Sequence, residues 1–521
     1  MGAWAFYFLL KIVLYLRGHI PFDVVANVVF ALWVLVPTPV AWSRSRAVVW
    51  TRRAATGVVA VLLAWHDSWL PPLPGAVEFL VQTGLPSGDF LAQFALQSVA
   101  TREVAWLAAV IAGALLIRRY MRLTPVVLVL LVVVAVRVYA KTPSGNDAVL
   151  ASFYAHQAEE RVAFVGQREG QPAFDVLILH LCSLSWDDLA AIGRAKDPFF
   201  DQFDILFTRF NSVTTHSNPS VIRLLRAPCG QTPHDALYRP AGRGCYLMDA
   251  LRGDGFEPSY MLSHDGTYAG WREQVERLGR PGVEVRPEGV PIRLVDYEGA
   301  PVYEDYGMLA GWFVARQSHQ APRVALYYNT GTLHDGNRWA GDRNWWSRDR
   351  SVQYGEFVDA LFSDLDRFFA VVESSGRDAV VVVVAEHGMA LRGSALQPAG
   401  LREVPLPQIT TVPVGVKFIG PSWFGGARPV RQVVERPTSY LAIATLLAEL
   451  SARPTIDLGE SALRRLVEGV PATEFVAETE GAIVMDIGTQ YVAKRRSLSG
   501  QWVELPPGVI PEGVAPQAKG L

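Results

Sequence analysis

Between Val380 and Gly388 the chain reads VVVVVAEHG. Five consecutive β-branched residues leave no polar face, so this run predicts a central strand covered on both sides, as in a parallel sheet. The run ends in Glu386 and His387. A carboxylate and an imidazole just past a strand's carboxyl end stand where open α/β sheets carry their sites. A second run, Phe174 to Leu181, has the same shape and ends in Cys182. Thiolate, carboxylate and imidazole together are zinc ligands. The two strand ends are therefore read as a candidate metal site.

Other segments fit the same architecture. Val324–Tyr328 and Val412–Ile419 read as strands, residues 351–374 and 439–450 as helices, and Trp186 as the start of a further helix. Phe357, Leu361, Leu365, Phe368 and Phe369 recur at helical spacing. Residues 148–165 read as a lead-in helix and Glu478–Met485 as a strand. Strands alternating with helices predict an α/β fold with a mostly parallel central sheet.

The N-terminal third is different in kind. Apolar stretches at about 3–17, 23–43, 54–72, 103–119 and 123–140 predict a multi-span membrane domain of about five helices. Arg44, Arg46, Arg52 and Arg53 fall between the second and third stretches, and Arg118, Arg119 and Arg122 between the fourth and fifth. Both loops are placed in the cytoplasm by the positive-inside tendency, which puts the N-terminus inside and everything after Ala140 outside. Leu70 to Arg102 reads as a Pro-rich turn and a helix lying at the interface. The expected division is an anchor over 1–140, a linker and lead-in helix over 141–173, a catalytic domain over 174–465, and an extension with a loose tail over 466–521. The formal net charge of −2 gives no electrostatic reason to expect a nucleic-acid partner.

Three cysteines are present, at 182, 229 and 245. Outside the cytoplasm the close pair Cys229 and Cys245 is expected to form a disulfide. By itself Cys182 reads first as a small buried hydrophobe, and it is the Glu386–His387 pair at the other strand end that makes it a candidate ligand.

Five segments carry a resemblance: FDVLILHLCSLSWDDL (174–189), FNSVTTHSNPSVIRLLRAPCGQ (210–231), YYNTGTLHDGN (327–337), VVVVVAEHGMALRG (380–393) and GLREVPLPQITTVPVGVKF (400–418). The chain is similar in these to the BcsG family of bacterial cellulose biosynthesis proteins. These are membrane-anchored phosphoethanolamine transferases of the zinc-dependent, alkaline-phosphatase-like kind. The resemblance implies one Zn2+ held by Cys182, Ser217, Glu386 and His387, with Ser217 as nucleophile. His334 and Arg402 match a histidine and an arginine beside the transferred phosphoryl group. The family's serine motif resembles TSYSG, whereas this chain has Thr215, His216, Ser217 and Asn218. His216 is a second-rank candidate for catalytic work. The spare polar residues Asp187, Asp188, His264, Asp265 and Asp305 are the candidates for any second metal.

The resemblance further implies phosphatidylethanolamine as donor, cellulose as acceptor, and a bacterial inner-membrane protein with its catalytic domain in the periplasm, alongside other cellulose synthase subunits. The ethanolamine ammonium calls for a carboxylate or an aromatic face, with Asp335, Glu403 and Tyr303 as candidates. Trp271, Trp339, Trp345 and Trp346 are candidates for sugar stacking. Rival readings are a phosphodiesterase or sulfatase, transfer to another glycan, and a non-catalytic scaffold.

Overall fold

The computed structural model describes residues 4–17, 20–37, 45–70, 112–113, 116, 123–140, 145–267, 270–342, 348–394, 396–425, 428–496 and 502–505. Along the chain the strands are β1 (Asp175–Leu181), β2 (Ile205–Asn211), β3 (Glu257–Leu262), β4 (Val283–Glu284), β5 (Ile292–Val295), β6 (Pro301–Tyr303), β7 (Val324–Thr330) and β8 (Arg338–Trp339). They continue with β9 (Ala379–Ala385), β10 (Thr411–Ile419), β11 (Gln432–Val434), β12 (Val476–Glu478), β13 (Ala482–Asp486), β14 (Tyr491–Arg495) and β15 (Trp502–Glu504).

The valine run is β9, and it lies inside an eight-stranded sheet of order β11-β2-β10-β9-β1-β7-β3-β4. β1 pairs in parallel with β7 and β9, β3 with β7 and β4, and β2 with β11. β10 runs antiparallel to both β9 and β2. Every residue of β1, β7, β9 and β10 is buried, which requires cover on both faces. Phe357, Leu361, Leu365 and Phe368 of the helix Arg350–Ser374 belong to the same core. The register sets Leu181 of β1 opposite both Thr330 of β7 and Ala385 of β9. Three carboxyl ends therefore finish at one level, and the residues following them share one rim.

The expected strand Glu478–Met485 is instead a hairpin. β12 ends at Glu478, the chain turns at Thr479, and β13 returns antiparallel. Thr479 Oγ1 accepts from Ala482 N at 3.0 Å, the local side-chain bond that closes such a turn. The lead-in helix stops at Glu159 rather than near 165. From there the chain is extended, and Val162 N donates to Pro228 O at 2.7 Å. Cys229 and Cys245 are disulfide-bonded.

The N-terminal part is a membrane-associated helical region. Arg46–His66 is long and apolar enough to cross a membrane. Trp4–Leu16, Val24–Leu35 and Leu123–Val136 are shorter apolar helices. They pack through Phe8, Ile12, Phe30, Leu63, Val127 and Leu131. Val25, Val29, Leu32, Val58, Val61, Val129 and Val132 point outward from the same helices and are exposed. Helices apolar on both inner and outer faces suit lipid rather than water. Of the five expected stretches, 103–119 lies almost wholly outside the described residues, as do 71–102 and the C-terminal tail from 506. The third helix begins at Arg46, earlier than expected, so Arg46, Arg52 and Arg53 sit in its opening turns rather than in a loop. Ser45 caps it, accepting from Val48 N.

This region touches the sheet domain. Trp69, just past the helix Arg46–His66, is buried among Leu396, Val404, Leu406, Phe475 and Tyr491. Arg495 Nη1 donates to Ser68 O at 2.7 Å.

Candidate metal centre and active site

The rim of the sheet is assembled from strand ends. Cys182 follows β1, and its N donates to Thr330 O of β7 at 3.1 Å. Ser183 then takes φ 56°, a left-handed conformation that costs a serine energy and is held only by its surroundings. Tyr354 Oη donates to Ser183 O at 2.7 Å and fixes it. Glu386 follows β9, and its N donates to Leu181 O at 2.8 Å. At Gly388 a Cβ would fall 2.5 Å from Ser185 Oγ and 2.6 Å from Asp188 Oδ2, so the glycine of the EHG run is a packing requirement. Ser217 opens the helix Ser217–Leu225, reached through a short loop from β2. Its hydroxyl stands at a helix N-terminus, where unpaired N–H groups and the helix dipole favour negative charge.

Ligand atoms of Cys182, Glu386 and His387 all lie within 4.8 Å of one another. Ser217 Oγ is 3.6 Å from Cys182 Sγ and 3.3 Å from His387 Nε2. Glu386 and His387 are fully buried and Cys182 is 3% exposed. Asn329 Nδ2 donates to Glu386 Oε1 at 2.6 Å. Glu386 Oε2 has no hydrogen-bond partner, although it is buried. His387 Nδ1 lies 3.0 Å from Gly388 O, which as an N–H donor there leaves Nε2 as the lone-pair nitrogen. That nitrogen is 3.7 Å from Glu386 Oε2.

Burial decides the protonation of the cluster. It pushes the Cys182 thiol up to about 12, with Glu386 adding to the effect. It raises the Glu386 carboxyl. It lowers His387, and the nearby Arg402 guanidinium lowers it further. A buried thiol and carboxylate that resist ionisation, an imidazole kept neutral and an orphaned carboxylate oxygen are the donor set a divalent cation satisfies. The residues present therefore fit a metal ion of the zinc type. Among the described residues this is the one group of three or more such side chains close enough to do so.

Three of the residues named as spare ligands, Asp188, Asp305 and His264, are otherwise employed. Asp188 accepts from Leu391 N at 3.0 Å and Met389 N at 2.6 Å, holding the loop after His387. Asp305 accepts from Tyr328 Oη at 2.6 Å and from Thr332 Oγ1. His264 Nδ1 accepts from Gly266 N, so its Nε2–H donates to Asn329 Oδ1 at 2.9 Å.

A cleft of about 540 Å3, partly open to solvent, has Cys182, Ser217, Glu386 and His334 in its walls. Burial, and then the Arg402 guanidinium, lowers the pKa of His334. Its Nδ1 donates to Asp335 O at 2.8 Å. Arg402 Nη1 is 3.0 Å from His387 Nδ1 and 3.5 Å from Ser183 Oγ. His216 is not among the lining residues; its Nε2 stands 3.9 Å from Glu403. The sequence-named ammonium partners lie elsewhere: Asp335 pairs with Arg350 at 2.5 Å, Tyr303 stacks under Arg286, and Glu403 neighbours His216. Trp339 packs on Phe357 and donates to Glu356, while Trp345 and Trp346 fall outside the described residues.

Asn329 was not singled out by sequence reasoning, although it lies in the quoted run 327–337 at the end of a strand. Asn337 lies in the same run. Asp296 and Tyr297, also in the cleft wall, sit in a turn after β5 that gave no signal.

The sequence matches two family descriptions: "Cellulose biosynthesis protein BcsG N-terminal domain" over residues 4–136, and "Cellulose biosynthesis protein BcsG C-terminal domain" over residues 135–502. The chain belongs to the BcsG family. The cellulose biosynthesis protein BcsG of Escherichia coli (strain K12) is 32% identical, with 97% of this chain and 96% of that protein covered. The BcsG protein of Salmonella typhimurium is likewise 32% identical over the same shares. Among solved structures, the integral membrane lipooligosaccharide phosphoethanolamine transferase A of Neisseria meningitidis is similar at TM-score 0.41 and 12% identity, covering 87% of this chain and 96% of that one.

Proposed function

We propose that this chain is a membrane-anchored phosphoethanolamine transferase of the alkaline-phosphatase-like kind. It moves phosphoethanolamine from phosphatidylethanolamine to glucose 6-hydroxyls of cellulose through a covalent adduct on Ser217. The observation that carries this is the meeting of a helix-N-terminal serine hydroxyl with a buried thiol, carboxylate and imidazole, in a chain of the BcsG family.

Cys182, Ser217, Glu386 and His387 would hold one Zn2+, which when bound lowers the serine pKa and polarises a phosphoryl oxygen. The chain's own residues do the rest. Ser217 Oγ attacks phosphorus, the bond to the diacylglycerol oxygen breaks, and the serine proton ends on that leaving oxygen. With His334 Nδ1 committed to Asp335 O, its Nε2 is the nitrogen that carries the proton. Arg402 offsets the developing negative charge. A cellulose hydroxyl then attacks the same phosphorus, its proton leaves by the reverse path, and Ser217 is released. His216, beside Glu403 and outside the cleft lining, takes no step on phosphorus in this reading.

The division into a 1–140 anchor of several spans and a catalytic domain from 174 serves this chemistry. A tether in the bilayer keeps the domain at high effective concentration over a lipid donor. The catalytic domain then faces the periplasm of a bacterial inner membrane, where cellulose and the other synthase subunits are met.

The test is an intact-mass measurement on the full chain in phosphatidylethanolamine vesicles, quenched in acid, with zinc quantified on the same sample. One phosphoethanolamine adduct is expected, absent in Ser217→Ala and after chelation. Zinc-loaded protein without an adduct would overturn the covalent route.

A further inference from the structure

The wall of the cleft away from Cys182 has its own chemistry. Asp265 and Asp296 contribute carboxylates, and Trp271 and Tyr297 contribute rings. Each carboxylate uses one oxygen to hold its own loop. Asp265 Oδ1 accepts from Thr267 N at 3.0 Å, and Asp296 Oδ1 accepts from Glu298 N at 2.9 Å and Ala300 N at 2.8 Å. Among the described residues neither turn uses the second oxygen. Asn337 lines the same cleft and is 2% exposed. Its Nδ2 donates to Gly331 O and Thr332 O, while its Oδ1 is buried with no hydrogen-bond partner. A buried acceptor without a donor calls for an N–H or O–H from outside the protein.

Both rings are held in place. Trp271 is 3% exposed and packs edge-on against His264, with ring centroids 5.1 Å apart. His264 is fixed through Asn329 to Glu386, so this wall is braced against the metal-ligand cluster. Tyr297 stacks on His334 at 6.1 Å.

Resting on the transferase reading above, we infer that Asp265, Asp296, Trp271, Tyr297 and Asn337 Oδ1 form a recognition subsite for the primary ammonium of the donor headgroup. The two carboxylates supply negative potential and the rings supply cation–π faces. Asn337 Oδ1 takes an N–H. The last contact sets the specificity, because a trimethylammonium group has no N–H to give and leaves the acceptor unsatisfied. The subsite therefore selects ethanolamine over choline, and both over an uncharged headgroup of the same length.

The test uses the zinc-loaded full chain in detergent with three chromogenic diesters: 4-nitrophenyl phosphate esterified with ethanolamine, with choline, or with propanol. The wild type is expected to favour the ethanolamine ester over the propyl ester by tenfold or more in kcat/KM, with choline between them. Asp265→Asn and Asp296→Asn keep the oxygen that holds each loop, so folding is preserved. Each is expected to raise KM for the ethanolamine ester about fivefold to tenfold and leave the propyl ester unchanged; the double variant should lose the preference. Equal wild-type turnover of ethanolamine and propyl esters would overturn the subsite while leaving phosphodiester transfer standing. An equal fall on both esters in the variants would show a structural role and overturn it too. Absence of any Ser217-dependent turnover would remove the transferase reading together with this one.

Discussion

Two buried polar clusters stand in the two regions of this chain, one among the N-terminal helices and one at the rim of the sheet, and they are built on opposite plans. In the helical region, Lys11 Nζ is 2.6 Å from Asp67 Oδ2, 2.9 Å from Asn27 Oδ1 and 3.2 Å from Leu63 O. Asp67 also accepts from Asn27 Nδ2 at 2.5 Å and Asp23 N at 3.3 Å. Cation meets anion, and three helices are tied together by the exchange. At the rim of the sheet, Cys182, Glu386 and His387 gather with Ser217, and no group among these four carries positive charge at neutral pH. One carboxylate oxygen is left without a partner. A buried ionic cluster that balances its own charge joins elements, whereas one made only of donor atoms is a seat for a cation.

The largest expected break is Glu386→Gln. The shape stays, the charge goes, and both metal content and turnover should collapse, by about 100-fold or more in metal affinity since even supporting residues cost 10–100-fold. Metal analysis and the Ser217 adduct read the result; a Gln variant that keeps its metal would erase the contrast. Lys11→Met comes next. It leaves Asp67 buried without its cation, a loss of about 3–5 kcal/mol for buried pairs. Full-length protein in detergent should melt earlier, while the adduct yield of the folded fraction stays that of the wild type. Restoration by a second change, Asp67→Leu, would show that the pair is there to join helices. Loss of the adduct in folded Lys11→Met would instead tie the anchor cluster to catalysis.

The two regions also differed in how far they could be read from sequence. Val380–Val384 could only be a covered strand, and position alone marked the carboxylate and imidazole at its end as candidates. The second apolar run marked Cys182 in the same way, and the structure brings the two ends together because β1 and β9 finish in register. The ion pair Lys11–Asp67 was not legible, since both residues looked like isolated blemishes in apolar stretches and only helix packing brings them together. Asp296 and Tyr297 escaped for a related reason. They lie on the turn between β5 and β6, two short strands with little apolar pattern, and β5 takes its other partner, β8, from much later in the chain. Glu478–Met485 was misread because a tight hairpin with an apolar return strand looks like one longer strand.

The finest test of the contrast falls on Asn329, a neutral side chain that fastens the donor cluster to the rest of the wall. Its Nδ2 donates to Glu386 Oε1 and its Oδ1 accepts from His264 Nε2. Asn329→Leu keeps the volume and removes both bonds. Glu386 would then have only His180 Nδ1, 3.9 Å away, on that side. A metal ligand whose supporting hydrogen bond is lost binds about 10–100-fold more weakly. Chelator competition should show that loss, and saturating zinc should return most of the Ser217 adduct, because no atom that touches phosphorus has changed. Unaltered metal affinity in Asn329→Leu would mean that the cluster holds its own geometry, as the Lys11–Asp67 cluster does. A defect that excess metal cannot repair would place Asn329 in the chemistry rather than behind it.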